Sequence, residues 1–124
     1  MTYPNPPNPN PLVFHNAVNA GSAIVAVWTP PVQRRAQLLQ LIISVNGTLA
    51  AGASTIINIL DGATNIGLAI AVVPGVALNT SQVLVINLPG DGYVQSADNT
   101  ALNIYVSATL ISGNIVCTMV GYEL

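Results

Sequence analysis

Residues 101–122, ALNIYVSATLISGNIVCTMVGY, carry the signal that decides the fold. Leu102, Ile104, Val106, Ala108 and Leu110 fall on one face of an extended chain. Asn103, Tyr105, Ser107 and Thr109 fall on the other. Side chains alternate with period two only in a β-strand, so this half reads as a strand buried on one side. In the second half Ile115, Cys117 and Met119 oppose Val116, Thr118, Val120 and Tyr122, and both faces are largely apolar. Such a strand needs cover on both sides. Ser112-Gly113-Asn114 between the halves predicts a tight hairpin.

The same reading extends outward from this stretch. Further candidate strands cover 12–16, 22–28, 36–45, 55–60, 65–72 and 82–88, with a weaker one at 93–95. Val, Ile, Leu and Thr fill them, and Gly, Asn and Pro separate them. Asn46-Gly47, Asp61-Gly62 and Asp91-Gly92 have the residue types of tight β-turns, where positive φ is required. Pro74-Gly75 and Pro89-Gly90 break the intervening segments. In 38–45, Leu38 and Ile42 share one face by simple alternation, against Leu39, Leu41, Ile43 and Val45. No long segment has a helical period. About eight short strands predict an all-β chain, a single β-sandwich of jelly-roll type over 17–124. Residues 1–16 are expected to form an extended N-terminal arm. Its first part, MTYPNPPNPNP, holds prolines at 4, 6, 7, 9 and 11 that favour a polyproline II course of about 30 Å.

Charge is the unusual part of the composition. Of 124 residues, 5% are Asp, Glu, Lys or Arg, against roughly 25% in an ordinary domain. The six are Arg34, Arg35, Asp61, Asp91, Asp98 and Glu123, and the net charge is −2. No basic face is available for a run of phosphates, so nucleic-acid binding is not expected. Hydrophobic residues make up 52% and the polar remainder is mainly Asn, Thr, Ser and Gln. A surface this poor in charge suits contact with other protein rather than water. The apolar runs are too short or too broken for a membrane-spanning helix. The N-terminus lacks the pattern of a secretory signal, and Cys117 alone cannot build a disulfide framework.

Groups able to do chemistry are few. His15 and Cys117 are the sole residues of their kinds, so a structural zinc site is not expected. Cys117 has the setting of a core thiol. Asp61 and Asp91 precede glycine, and Asp98 precedes Asn99, which predicts turn residues bonded to the local backbone. The alternatives for these three, a catalytic carboxylate pair or a calcium site, lack the spacing of any known loop. Asn46-Gly47-Thr48 and Asn79-Thr80-Ser81 match the glycosylation pattern without a secretory context. No cofactor and no catalytic residue are expected, and the chain is not read as an enzyme. Arg34 and Arg35 are candidates for an ion pair with Glu123 or the C-terminal carboxylate, within the chain or across a subunit contact. Trp28, Tyr93, Tyr105 and Tyr122 are the aromatics available to stack on a sugar.

Two stretches carry a family resemblance: RAQLLQLIISVNGTLAAGASTIINILD at 35–61 and LPGDGYVQSADNTALNIYVSATLISGNIVCTMVGYEL at 88–124. In strand layout, in the LNIYVSA segment, in poverty of charge and in the terminal GYEL they resemble the small jelly-roll proteins of tailed bacteriophages. The resemblance implies a head decoration, or cement, protein. Such a chain forms a homotrimer on the head surface, is made in the host cytoplasm, and bridges major capsid proteins. Tyr3, Pro4, Pro6, Pro7, Pro9 and Pro11 would then belong to a capsid-docking arm. The alternative is a receptor-binding or carbohydrate-binding jelly-roll module of the tail. No membrane partner is implied.

Overall fold

The computed structural model describes residues 12–19, 23–48, 55–72, 80–107 and 112–124. Nine strands lie among them: β1 (Leu12–Asn19), β2 (Val25–Trp28), β3 (Ala36–Thr48), β4 (Thr55–Asp61), β5 (Thr64–Val72), β6 (Thr80–Asn87), β7 (Tyr93–Val94), β8 (Leu102–Val106) and β9 (Ser112–Glu123). One sheet has the order β1-β9-β3-β6, with the short β7 also pairing β3 beyond the end of β6. The second sheet has the order β2-β8-β4-β5. All pairings are antiparallel. With β7 set aside, the chain crosses between sheets at every connection except β4–β5. Eight strands connected in this way form a jelly roll, as the strand count predicts.

The strand positions follow the sequence reading closely, and two of its turns do not. Asn46-Gly47 is strand, not turn. Both residues pair on one side with Ser81 and Thr80 and on the other with Asn114 and Gly113. β3 is central, and ladders on both flanks hold it extended through a sequence that would turn in isolation. Ser112-Gly113-Asn114 likewise opens β9 rather than closing a hairpin, and β8 and β9 lie in opposite sheets. Alternation identifies each strand but not the sheet to which it belongs. The Asp61-Gly62 signal does make a hairpin. Asp61 pairs with Thr64 across a two-residue loop whose first member, Gly62, has φ of 62°, as a type II′ turn requires. Residues 12–16, grouped with the arm by composition, form the first part of β1 and pair with β9. The arm residues Tyr3, Pro4, Pro6, Pro7, Pro9 and Pro11 lie outside the described residues, as do Pro74 and Gly75.

The core lies between the sheets. Trp28, Leu38, Leu41, Ile43, Ile57, Ile59, Leu102, Ile104 and Met119 are fully enclosed, with Val106, Ile115 and Cys117 packed among them. Each large aliphatic buried here stabilises the fold by about 1.5–3 kcal/mol relative to exposure. Leu38 and Leu41 both face this core, although simple alternation sets them on opposite faces. The β3–β9 register shifts between Leu38 and Gln40, a bulge that inserts Leu39 and reverses the parity of the strand. Gly121 stands opposite Leu38 beside this bulge, and a Cβ there would overlap the Gln37 carbonyl oxygen.

Candidate interaction surface

The topology gathers all six charged residues at one end of the sandwich. Arg34 and Arg35 precede β3, Asp61 closes β4, Asp91 and Asp98 lie between β6 and β8, and Glu123 closes β9. The registers set the start of β3 beside the finishes of β6 and β9, and hydrogen bonds from Tyr93 and Gln95 bring Asp61, at the finish of β4, to the same end. In sequence, the segments 20–24 (AGSAI), 49–54 (LAAGAS), 73–79 (VPGVALN) and 107–111 (SATLI), which follow β1, β3, β5 and β8, contain no charge.

A buried amide organises the charged end. Gln95, 1% exposed, accepts from the Ala36 N–H at 2.8 Å and donates to Asp61 Oδ1 at 2.9 Å and to the Thr100 carbonyl at 2.7 Å. The Tyr93 hydroxyl donates to Asp61 Oδ2 at 2.7 Å. Asp61, in the second sheet, is thereby tied to β7 of the first. Its side chain bonds Tyr93 and Gln95, distant in sequence, where its place before glycine predicts a bond to the local backbone. Burial, then the hydrogen bond to Asp61, then the nearby negative charge push the Tyr93 hydroxyl up to about 12. Sequence reasoning missed Gln95. Its one signal was the weak strand at 93–95, which said nothing of an enclosed amide.

Arg35 pairs with Asp98, Nε to Oδ1 at 3.1 Å, and both side chains are exposed by about two-fifths. The Arg35 backbone exchanges hydrogen bonds with Leu124, and Ala36 registers with Glu123. Arg35 therefore lies beside the end of β9, and the carboxylate that pairs with it is Asp98. Glu123 accepts from the Trp28 indole at 3.2 Å. Asp91 shapes a Pro89–Gly92 turn closed by a 3.1 Å bond, and its carbonyl accepts from Gln37. Gly92 there has φ of 74°, and a Cβ on it would overlap the Leu38 carbonyl oxygen.

No group of three His, Cys, Asp or Glu side chains among the described residues is placed to hold a metal ion. Cys117 is enclosed, and burial pushes its thiol up to about 12, away from the reactive thiolate. His15 lies in β1 and registers with Met119. Trp28 is fully buried, so it cannot stack on a sugar. Tyr105 and Tyr122 are half-buried. No helix among the described residues is long and apolar enough to cross a membrane.

The outer face of the first sheet is different in kind. Val83 and Val85 of β6 are 61% and 55% exposed. They register with Ser44 and Ile42 of β3, which register in turn with Val116 and Thr118 of β9. Gln40 donates to Asn87 at 2.7 Å across one edge of this patch. The face mixes aliphatic and neutral polar side chains, with no charged residue among the described ones.

No known family model matches the chain, and no curated protein does. Among solved structures the chain is similar to a Bacillus endospore appendage protein, one of a family of disulfide-linked pili. Identity is 9%, the match covers 93% of this chain and 90% of that one, and the TM-score is 0.41. A likeness that distant carries nothing about function.

Proposed function

We propose that the chain is a structural subunit of a tailed-bacteriophage virion, a head decoration protein that self-associates as a homotrimer and bridges major capsid proteins. The observation that supports this reading best is the separation of charge from surface. All six charges sit at one end, while a sheet face carries exposed Val83 and Val85 among neutral neighbours. Such a surface is stable when another protein covers it. The role is mechanical. Each copy adds buried area between capsid units, and mass action favours the assembled shell.

The proline arm would complete the docking. It enters β1 at Leu12, which registers with Tyr122 at the charged end. In this reading the Leu12 end of β1, beside the Glu123 end of β9, would face the shell and the opposite end would project. The decisive experiment adds purified protein to undecorated heads. Full-length chain should bind at hundreds of copies per head, and a chain lacking residues 2–11 should fold yet fail to bind. Equal binding of both, or a virion content of a handful of copies, would sink the assignment. Selective binding on a glycan array would favour the tail module instead.

A further inference from the structure

We infer that β6 is a reserved pairing edge, and that it joins the β6 of a second copy of this chain as an antiparallel, two-fold contact. With the two-residue β7 set aside, four edge strands lie among the described residues, β1, β6, β2 and β5. Proteins blunt exposed edges with bulges, charges, prolines or very short strands, because an open edge invites pairing. Three of the four are blunted. β1 is bulged between His15 and Val18 and follows Pro11. β2 has four residues and a register shift between Ala26 and Trp28. β5 is irregular against β4 and contains Gly67. β6, TSQVLVIN, has none of these devices: eight residues in one unbroken register with β3, without charge, proline or glycine. Among the described residues it pairs only with β3.

The backbone geometry selects the register. Leu88 N–H donates to the Leu39 carbonyl at 2.9 Å, so the pair Leu39–Leu88 is hydrogen-bonded. Antiparallel ladders alternate, so Val83, Val85 and Asn87 turn their N–H and C=O groups away from β3, toward the free edge. These residues include the two exposed valines of the outer face. With Leu84 on a two-fold axis, Val83 of each copy meets Val85 of the other in hydrogen-bonded pairs, and Ser81 meets Asn87. The apolar patches around Ile42 and Val116 then become continuous across the axis.

Charge selects the occupant and the direction. An isologous contact sets each residue near the axis against its own copy, so a charge there would face its like. β6 carries none. Antiparallel pairing also places the charged end of one copy beside the uncharged end of the other. Those charged ends, two arginines against four carboxylates for a net −2 each, stand apart by about 27 Å, the length of eight extended residues. That exceeds the screening length of about 8 Å at physiological salt. Parallel pairing would stack them side by side. The strip is narrow, below the roughly 1,000 Å² of a tight interface, so the contact tightens when copies are concentrated, as on an ordered shell. It does not depend on the virion reading.

The test uses the isolated full chain. Particle mass is followed by light scattering up to millimolar concentration for wild type, Val85→Lys, Val83→Lys and Val85→Thr. Wild type and Val85→Thr should reach twice the mass of the two lysine variants, whatever ring each copy otherwise builds. At high concentration the wild-type amides of Val83, Val85 and Asn87 should exchange at least tenfold more slowly than on dilution, while those of Leu84 and Ile86 stay unchanged. Equal mass for wild type and the lysine variants would overturn the proposal. So would doubling without slower exchange at those three amides. Loss of head binding with the doubling retained would instead count against the decoration role alone.

Discussion

The charged end and the outer face of the first sheet solve opposite problems. At the charged end, polar side chains engage one another within the chain: Gln95 with three partners, Asp61 with two donors, Arg35 with Asp98, Glu123 with Trp28. Steric fit is equally strict there, with Gly92 and Gly121 against carbonyl oxygens. On the outer face Val83 and Val85 keep more than half of their surface exposed. The difference teaches where selection for folding ends and selection for contact begins. Substitutions at the first region should unfold the chain, and substitutions at the second should leave it folded and change only what it joins.

The comparison can be broken at its strongest point first. Gly92→Ala should cost about 3 kcal/mol or more in urea unfolding, from overlap with Leu38 and the positive φ together. Gly90→Ala is the control. Its φ is 62° with open space around it, so only about 1–2 kcal/mol is expected. Equal losses at the two glycines would show that conformation, not crowding, governs this end.

Gln95→Leu should cost about 2–3 kcal/mol, because it strands the Ala36 N–H, Asp61 Oδ1 and the Thr100 carbonyl. Asp61 would then keep only the Tyr93 hydroxyl of its two donors.

Alkaline titration sharpens the picture of the interior. The Cys117 thiol rises from 9.0 to about 12 and the Tyr93 hydroxyl from 10.0 to about 12. Above pH 9 the unfolded thiol ionises while the folded one holds its proton, so the unfolded state binds fewer protons and stability falls as pH rises. Tyr93 adds to the fall above pH 10. Full stability is present below pH 9 and drains away toward pH 12. Cys117→Ala should lower stability at pH 7 through the lost packing, yet flatten the decline between pH 9 and 12 in a series of thermal melts. An unchanged slope would show that the thiol ionises freely in the fold.

The smallest effects test the surface. Arg35→Ala should change stability by about 0.5 kcal/mol or less, and the difference should shrink in 1 M NaCl, because the pair is exposed. Val83→Thr should fall within about 0.5 kcal/mol of wild type. A loss at Val83 as large as that at Gln95 would erase the distinction between the two regions.

Most of the fold is legible in the residues. Aliphatic and β-branched runs between Gly, Asn and Pro located every long strand, alternation was clear in 102–110, and strand number with turn chemistry pointed to a jelly roll. The candidate site was legible only in outline. Poverty of charge announced a covered surface, but the clustering of Arg34, Asp61, Asp91 and Glu123 at one end emerges only once the strands are ordered, since those residues span most of the chain. Asp61 read as a turn residue because its glycine neighbour is local information, while its bonds to Tyr93 and Gln95 cross 32 and 34 positions.

The sequence by itself determined which segments are extended and which side chains prefer the interior, because alternation and turn propensity act between near neighbours. Tertiary structure alone decided the rest. It kept Asn46-Gly47 straight between two ladders, turned Leu38 inward through the bulge at Leu39, and sent β8 and β9 to opposite sheets. It also left β6, a strand without charge, at a sheet edge. Each of these is settled by a hydrogen-bonding partner distant in sequence, and local propensities worth about 1 kcal/mol yield to a ladder that satisfies every backbone group.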